Sequence, residues 1–323
     1  MGTLPAGLVE RELQAVEVLI AESLRSEEPL LTEIAQYVVG AGGKRVRPLL
    51  TLLAFRAVGG KDPQPAVRIA AALELLHSAT LLHDDINDRG VTRRGRLAAF
   101  RKYGALNALV TGDFLFVKAF AIGGKFAPEI VDLTAAVATS LAEGEILQRR
   151  LNNDVQISPM QYLDVVRRKT AMPLSLGARL GAYLGGARDS RLEHLARYGL
   201  NVGIAFQIMD DILDVVGDEA VLGKRVGSDV WEGNVTLPAI HALNDGATID
   251  PALLARLLRK KRKTDAEVRR ALSMIQDSGA VEKARADAGR YASEAKGALD
   301  TFPTGTHRDA LLALADFVVS RQR

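Results

Sequence analysis

Apolar residues recur every three or four positions along most of this chain, and glycine and proline punctuate the segments. This spacing matches the period of an α-helix, and no run alternates apolar and polar residues as a half-buried strand would. We predict an all-α fold of about a dozen helices and no strands. The predicted helices cover 8–24, 29–39, a segment from near Pro48 to Gly59, 66–88, 105–123, 129–151, 159–184, 190–216, and shorter segments within 237–321.

No linker divides the chain, and no repeat is evident apart from one duplicated acidic motif. Hydrophobic residues make up 48% of the 323 residues, which is enough for a sizeable core. We therefore predict a single helical domain over residues 1–323.

The duplicated motif has the form DDxxD and occurs as Asp84-Asp85-Ile86-Asn87-Asp88 and as Asp210-Asp211-Ile212-Leu213-Asp214. Helical residues four apart share a face, so the outer aspartates of each cluster project the same way. Each cluster follows an apolar segment and places like charges at the edge of a dry interior, where they need cations. A single cluster is most simply a solvated helix face, but two copies favour a magnesium–diphosphate site on two facing helices.

A phosphate-bearing ligand also needs direct cationic contacts. Candidate cations lie beside glycine turns or next to the acidic clusters: Lys44, Arg47, Arg93, Arg94, Lys169 and Lys224. Each one alone is an ordinary surface cation, and the adjacency to the clusters singles them out. His77 precedes Asp84 by seven residues, so it shares that helix face.

Composition narrows the remaining classes. The absence of cysteine removes disulfides, zinc–thiolate sites and cysteine nucleophiles together. The net charge of +3 is mild and base-reading motifs are missing, so we predict no nucleic-acid partner. The N-terminal residues lack the basic region of a secretory signal, and we expect a cytoplasmic protein.

Beyond these features, the chain resembles the trans-polyprenyl diphosphate synthases, in particular bacterial octaprenyl-type enzymes, over nearly its whole length. The matching segments are Gly43-Lys44-Arg45-Val46-Arg47-Pro48, Leu76-His77 through Asp88 with Arg93-Arg94-Gly95, Gly112-Asp113-Phe114-Leu115, Glu143-Gly144-Glu145, Lys169-Thr170, Phe206-Gln207 through Asp214, Gly223-Lys224, and Gly227-Ser228-Asp229 through Thr236-Leu237-Pro238. This many matches in one order is far more specific than any single motif.

The resemblance implies a helical bundle around a deep central cavity, a homodimer, and about three Mg²⁺ ions per active site. It implies metal binding by Asp84, Asp88 and Asp210, with Asp85, Asp211 and Asp214 in the wider clusters. It assigns the allylic diphosphate to Arg93, Lys169 and Lys224, and isopentenyl diphosphate to Lys44, Arg47, His77 and Arg94. The implied reaction is ionisation of the allylic diphosphate, attack by the homoallylic alkene, and loss of a proton.

Pro173 lies inside a predicted helix and cannot bond to the carbonyl four residues earlier, which belongs to Lys169. We hypothesise that this carbonyl, the Thr170 hydroxyl and the Gln207 amide face the allylic cation. A kink that serves only packing is the alternative.

The growing prenyl chain is expected to run beside the helix that carries the first cluster. The resemblance implies that an aromatic residue at Ala79 or Thr80 gives short products, whereas small residues permit long ones. Because these residues are small, we predict a product of roughly six to nine isoprene units, centred on octaprenyl. Each turn of the helix beside the growing chain is about 5.4 Å long. A shorter product such as geranylgeranyl diphosphate is the alternative.

Two departures from the family pattern stand out. Asn234 occupies a position where many relatives have lysine, and 96–100 lacks the usual Lys-Pro-Thr. Neither change removes a carboxylate. The basic run 259–263 is most simply a solvated helix end, and contact with anionic lipid is the alternative.

Three other classes compete with this interpretation. A His-Asp phosphohydrolase needs further histidine ligands, and the remaining histidines show no such arrangement. A terpene cyclase has a second metal motif with Asn, Ser and Glu, whereas both motifs here are DDxxD. A non-catalytic subunit of a two-component synthase is expected to have lost aspartates that this chain retains.

Overall fold

The computed structural model describes residues 5–88, 90–217, 226–245 and 248–321, and helix dominates this part of the chain. The α-helices are α1 (Glu10–Ser23), α2 (Pro29–Val39), α3 (Val46–Ala57), α4 (Gln64–Asp88), α5 (Ala99–Tyr103), α6 (Ala105–Gly123), α7 (Pro128–Leu151), α8 (Pro159–Val166), α9 (Met172–Leu184), α10 (Arg191–Val216), α11 (Ser228–Glu232), α12 (Leu237–Leu243), α13 (Pro251–Arg259), α14 (Asp265–Asp277), α15 (Ala280–Gly297) and α16 (Thr306–Ser320). The predicted all-α fold is confirmed.

The prediction that the chain has no strands is wrong at one place. Two-residue strands β1 (Thr92–Arg93) and β2 (Arg96–Leu97) pair antiparallel in the segment between α4 and α5. The turn between them is Arg94-Gly95, and both residues have positive φ, at 51° and 73°. Such a turn matches the twist of two short antiparallel strands. It also fixes Arg93 and Arg94 close to the end of α4.

The predicted helix over 159–184 is helical throughout but changes its winding in the middle. A π turn at Arg167–Ala171 joins α8 to α9, and the Met172 N–H bonds to the Arg167 carbonyl five residues earlier. Pro173, directly after it, has no N–H to donate, which favours a wider turn here. Such turns often lie at functional sites, and this one carries Lys169 and Thr170.

Between the predicted helices over 190–216 and 237–321, where no helix was predicted, the structure has the short helix α11. Residues 218–225 lie outside the described part of the chain, and the predicted site residue Lys224 is among them.

Two central helices, α4 and α10, carry the acidic clusters, and both are buried over most of their length. Helix α4 packs against α6 and α3, whereas α10 packs against α9 and α15. Helix α9 also packs on α3, so it connects the two halves. The α3–α9 approach requires Gly181, since a Cβ there would lie 2.1 Å from the Thr51 carbonyl oxygen. This packing holds the two cluster-bearing ends in one place.

The basic run between α13 and α14 is only partly solvated. Lys260 forms an ion pair with Glu267, and Lys263 is buried with its ammonium 3.2 Å from the Asn153 side-chain oxygen. The remaining residues of 259–263 are exposed. Lipid contact by this segment stays a prediction.

Candidate active site

The first cluster ends α4 and presents its aspartates in two directions. Asp84 is half-buried and Asp88 is exposed. Asp85 is buried, and one of its oxygens accepts hydrogen bonds from Arg93 Nε at 2.8 Å and Nη2 at 2.5 Å. Asp85 is thus held by the β1 strand, and Asp84 and Asp88 are the members that face the site.

A third carboxylate, Glu145 on α7, faces this cluster. Burial raises the pKa of the Asp84 carboxyl to about 7, and repulsion by Glu145 and Asp88 adds to the rise, while Lys169 opposes it. Partial desolvation of the carboxyl likewise raises the pKa of Asp88, although the residue as a whole is exposed. The Lys169 ammonium forms an ion pair with Glu145. Lys169 is therefore the counter-charge for several carboxylates, and a further cation would be stabilising here.

The second cluster is tied into the protein more firmly than the first. Asp211 accepts hydrogen bonds from the Tyr162 hydroxyl at 2.6 Å and from the Gln207 amide at 2.8 Å. Burial still raises the pKa of Asp211 to about 7. Asp214 is buried and accepts hydrogen bonds from the Ser228 hydroxyl at 2.5 Å and the Asp229 N–H at 2.9 Å.

Asp210 is the most open aspartate of the second cluster, with 41% of its side chain exposed. Its carboxylate lies 2.6 Å from the guanidinium of Arg321, which directly follows α16. Arg321 also donates to the Phe206 carbonyl at 2.6 Å and lies 3.9 Å from the Phe206 ring centroid. The end of the chain thereby covers one edge of the site.

The π turn connects the two clusters. Lys169 reaches Glu145 and the first cluster, while the next residue, Thr170, donates a hydrogen bond to the Gln207 side-chain oxygen at 2.8 Å. Gln207 in turn donates to Asp211. A cavity of about 140 Å³ lies beside this connection and is lined by Lys169, Thr170, Gln207 and Asp211 among others. The two clusters approach one site from opposite sides of a single turn.

A second basic group lies next to the first cluster. Arg47 is half-buried, and its buried Nε has no hydrogen-bond partner among the described residues. Burial and the charges of Arg47 and Arg94 hold the pKa of His77 well below its usual value, so His77 is neutral near pH 7. A buried guanidinium N–H without an acceptor is energetically unfavourable, and an anion would satisfy it.

The glycine turn before α3 shapes this basic group. The Arg94 guanidinium donates to the Gly42 carbonyl. A Cβ at position 43 would lie only 2.9 Å from this guanidinium, which is too close. Gly43 therefore leaves room for Arg94. Lys44 is exposed, and its ammonium lies 5.5 Å from the Phe317 ring centroid.

An apolar cavity lies between α4, α6 and α7. On α4 it is lined by residues that precede the first cluster, from Leu76 back to Ile69; the full lining is Ile69, Ala72, Leu73, Leu76, Ala119, Phe120, Gly123, Val131 and Thr134. The predicted chain-length residues, Ala79 and Thr80, are not part of this lining. Ala79 is fully buried in the main core, and the Thr80 hydroxyl bonds to the His77 carbonyl.

Hard oxygen donors for a divalent cation are present, although they do not form a finished cage. Within the described ranges, no three His, Asp or Glu side chains converge as a ready metal group. Asp84, Asp88 and Asp210 are carboxylates that keep some exposure, and the crowding around Asp84 is the kind that a divalent cation relieves. The donor set fits Mg²⁺ held jointly with a ligand's own oxygens.

Sequence reasoning missed three residues of the site. Glu145 belongs to a matched motif but was given no role, and Tyr162 and Arg321 reach the second cluster only through tertiary contacts. The residue spacing of the chain held no signal for Tyr162 or Arg321. The acidic character of Glu145 close to a matched lysine motif could have indicated its role.

Comparison with known proteins decides the family. The sequence model of the family described as Polyprenyl synthetase matches residues 28–275. The chain belongs to the polyprenyl synthetase family. The fold and activity predicted from the resemblance are thereby confirmed: the protein is a transferase of the trans-prenyl diphosphate synthase class, while the product length stays open.

Individual relatives cover nearly the whole chain. A nonaprenyl diphosphate synthase of Mycobacterium tuberculosis is 37% identical over 98% of this chain and 94% of its own length. An octaprenyl diphosphate synthase of Escherichia coli is 34% identical over 98% of both chains. The crystal structure of a polyprenyl synthase from Caulobacter crescentus, complexed with calcium and isoprenyl diphosphate, matches with a TM-score of 0.96 and 36% identity, over 100% of this chain and 99% of that one.

We predict that Arg321→Met lowers the free energy of unfolding by about 1.5–3 kcal/mol, because it removes hydrogen bonds from a charged donor to Asp210 and Phe206. Urea unfolding followed by circular dichroism measures this. Lys296→Met is the matched control, since it removes an exposed ion pair between α15 and Asp316 of α16, the helix that Arg321 directly follows. It should change stability by less than about 1 kcal/mol. Equal effects of both substitutions would contradict the buried contact.

Proposed function

We propose that the protein condenses isopentenyl diphosphate with an allylic diphosphate, using Mg²⁺, to make an all-trans polyprenyl diphosphate in the octaprenyl range. The observation that carries the proposal is the junction at Lys169-Thr170. Lys169 pairs with Glu145 and its charge acts on Asp84, while Thr170 is connected to Asp211 through Gln207. A ligand with a diphosphate group and divalent cations would neutralise the carboxylates on both sides.

The allylic diphosphate is assigned to the side of the π turn. Lys169 and Thr170 line the 140 Å³ cavity together with Gln207, and Arg93 lies at the first cluster. These groups provide positive charge and hydrogen-bond donors close to Asp84 and Asp88. Lys224, the further cation that the resemblance assigns here, lies outside the described residues.

Isopentenyl diphosphate is assigned to the basic group on the other side of α4. Arg47 offers an N–H that has no acceptor within the described residues, and Arg94 and the neutral His77 lie beside it. Lys44 precedes α3 on the exposed surface. An anion here would be bound by fixed guanidinium groups, which suits a phosphate that is not cleaved.

In the proposed reaction the carbon–oxygen bond of the allylic substrate breaks and the leaving diphosphate gains negative charge. Lys169 and Arg93 stabilise that charge most as the bond breaks, which accelerates this step. Bound Mg²⁺, held by Asp84, Asp88 and Asp210, would supply further stabilisation of the leaving group. Asp85, Asp211 and Asp214 hold the clusters in place through Arg93, Tyr162 and α11.

The allylic cation needs oxygen atoms of negative potential and no nucleophile in reach. The π turn directly before Pro173 supports the hypothesis that the Lys169 carbonyl faces the cation. The Thr170 hydroxyl donates to the Gln207 side-chain oxygen. This bond holds the hydroxyl oxygen and the amide oxygen side by side in the lining of the 140 Å³ cavity. The new carbon–carbon bond then forms with the alkene of isopentenyl diphosphate, and loss of a proton restores a double bond.

The apolar cavity supports a medium-to-long product. On α4 it begins at Leu76, eight residues before Asp84, and reaches Ile69, fifteen residues before it. At 1.5 Å per residue, these positions lie about 12 and 22 Å from the cluster along the helix. Ala72 and Gly123, both small, are part of the lining, and the cavity of about 20 Å³ has to widen to hold a prenyl chain. The nonaprenyl and octaprenyl relatives are consistent with this length.

Product sizing tests the function and the path together. The protein, incubated with isopentenyl diphosphate, farnesyl diphosphate and Mg²⁺, should release mainly a product of about eight units. Ala72→Phe should shorten the product because an aromatic ring would block the cavity, and Phe120→Ala should lengthen it. Ala72→Ser keeps the size of the side chain and is the control.

The sequence-based alternative is tested in the same assay by Ala79→Tyr, which should shorten the product to about three or four units if the chain passes Ala79. A wild-type product of about four units would replace the octaprenyl assignment with the geranylgeranyl one. Unchanged product length in both cavity variants would show that the prenyl chain takes another path.

We also propose a homodimer that buries the outer side of α6. This helix exposes Leu106, Val110 and Val117 by 71%, 49% and 65%. By length and composition it could cross a bilayer, as could the buried α4. The exposed Asp113 lies on the same side as these residues, which disfavours lipid and favours a second protein surface.

Val117→Glu should convert the dimer to a monomer in sedimentation velocity, because it places a charge in an apolar interface. Val18→Glu changes an equally exposed valine on α1 and should leave the dimer intact. A wild-type protein that sediments as a monomer would contradict the proposal.

A further inference from the structure

Four polar side chains form a continuous hydrogen-bonded chain beside the 140 Å³ cavity. The Lys169 ammonium donates to Gln148 Oε1 at 2.6 Å, and Gln148 Nε2 donates to Asn234 Oδ1 at 2.8 Å. Asn234 Nδ2 then donates to the Glu232 carboxylate at 3.1 Å. Gln148 lies on α7 and Asn234 lies directly after Gly233, so the chain connects three separate segments.

The two ends determine the direction of every bond in between. An ammonium can only donate, so Gln148 must offer its oxygen to Lys169 and its N–H to Asn234. An ionised carboxylate can only accept, so Asn234 must offer its N–H to Glu232 and its oxygen to Gln148. The orientation of both amides therefore follows from chemistry as well as from the coordinates.

The backbones that carry these side chains are held close together. A Cβ at Gly144 would lie 3.0 Å from Lys169 Cγ, so α7 and the π turn touch directly. The Asn234 N–H donates to the Asp229 carbonyl at 2.8 Å, and the Asn153 N–H donates to the Gly233 carbonyl at 2.7 Å. These contacts hold α7, the π turn and the segment at Gly233-Asn234 next to one another.

A lysine at position 234 would not fit this arrangement. It would direct an ammonium at the Gln148 N–H, and two donors would face each other. Gln148 would then have to turn its oxygen toward residue 234 and release Lys169. Gln148 and Asn234 are therefore a matched pair.

We infer that Gln148 is a positioning residue for Lys169 in the binding of the allylic diphosphate, and that Asn234 acts on that substrate only through Gln148. An ammonium has three N–H donors, and Gln148 accepts one of them, while Glu145 forms an ion pair with the same ammonium. These two contacts fix the position from which the ammonium donates to the diphosphate. The inference rests on the proposed role of Lys169.

The first test measures KM for both substrates in Gln148→Leu. KM for the allylic diphosphate should rise about tenfold, equal to about 1.4 kcal/mol, while KM for isopentenyl diphosphate changes less than twofold. Gln148→Leu/Asn234→Leu should be no worse than Gln148→Leu alone, because Asn234 has no separate effect. Glu143→Gln is the control: it removes an ion pair with Arg168 between the same two segments and should leave both KM values unchanged.

The second test reverses the polarity of the pair. Asn234→Lys alone should raise KM for the allylic diphosphate several-fold, although it adds a cation beside the site. Gln148→Glu together with Asn234→Lys should restore KM to within about twofold of the wild type, because a carboxylate accepts from both ammonium groups. A role in folding alone does not predict this rescue.

Two results would overturn the inference while leaving the proposed function intact. One is a lower allylic KM in Asn234→Lys than in the wild type, which would make residue 234 a direct cation site. The other is an unchanged allylic KM in Gln148→Leu, or an equal rise for both substrates. Lys169→Met distinguishes a failure of the inference from a failure of the proposed role of Lys169. An unchanged allylic KM in that variant would remove that role and the inference with it.

Discussion

Repulsion among carboxylates in a partly dry site is the constraint on which the rest of this structure depends. Asp84, Asp88 and Glu145 crowd around one lysine, and burial brings the pKa of Asp84 to about 7. On the other side of the π turn, burial also raises the pKa of Asp211 to about 7, although its carboxylate accepts two hydrogen bonds. A protein that keeps so many acids together gains stability from divalent cations and from a ligand that brings them.

Several local structures hold these charged side chains in place. The Arg94-Gly95 turn brings Arg93 onto Asp85, and α11 brings donors onto Asp214. The π turn before Pro173 sets Lys169 and Thr170 side by side, one toward each cluster. In this way Asp84, Asp88 and Asp210 keep some exposure for cations while the other three aspartates are fixed by hydrogen bonds, which is the preorganisation that charge stabilisation in a reaction requires.

Much of this arrangement could be predicted from the sequence because helical periodicity is local. The ends of α2 and α6 and the aspartates that share a face follow from residue spacing alone. The contacts of Tyr162 and Arg321 with the second cluster could not be predicted, since they join residues 49 and 111 positions apart. The lining of the apolar cavity could not be predicted for a similar reason: spacing indicates a helix face, but the packing of α6 and α7 decides which part of α4 stays open, and the role of Ala79 and Thr80 stays a prediction.

Binding of inorganic diphosphate, measured by isothermal titration calorimetry with and without Mg²⁺, tests the central claim most directly. If both clusters hold one diphosphate through shared cations, the wild type should bind it at least tenfold more tightly with Mg²⁺ than without, and Asp84→Asn and Asp210→Asn should each weaken the Mg²⁺-dependent binding at least tenfold, about 1.4 kcal/mol. Binding of equal strength without Mg²⁺, or an Asp210→Asn variant that binds like the wild type, would contradict the account.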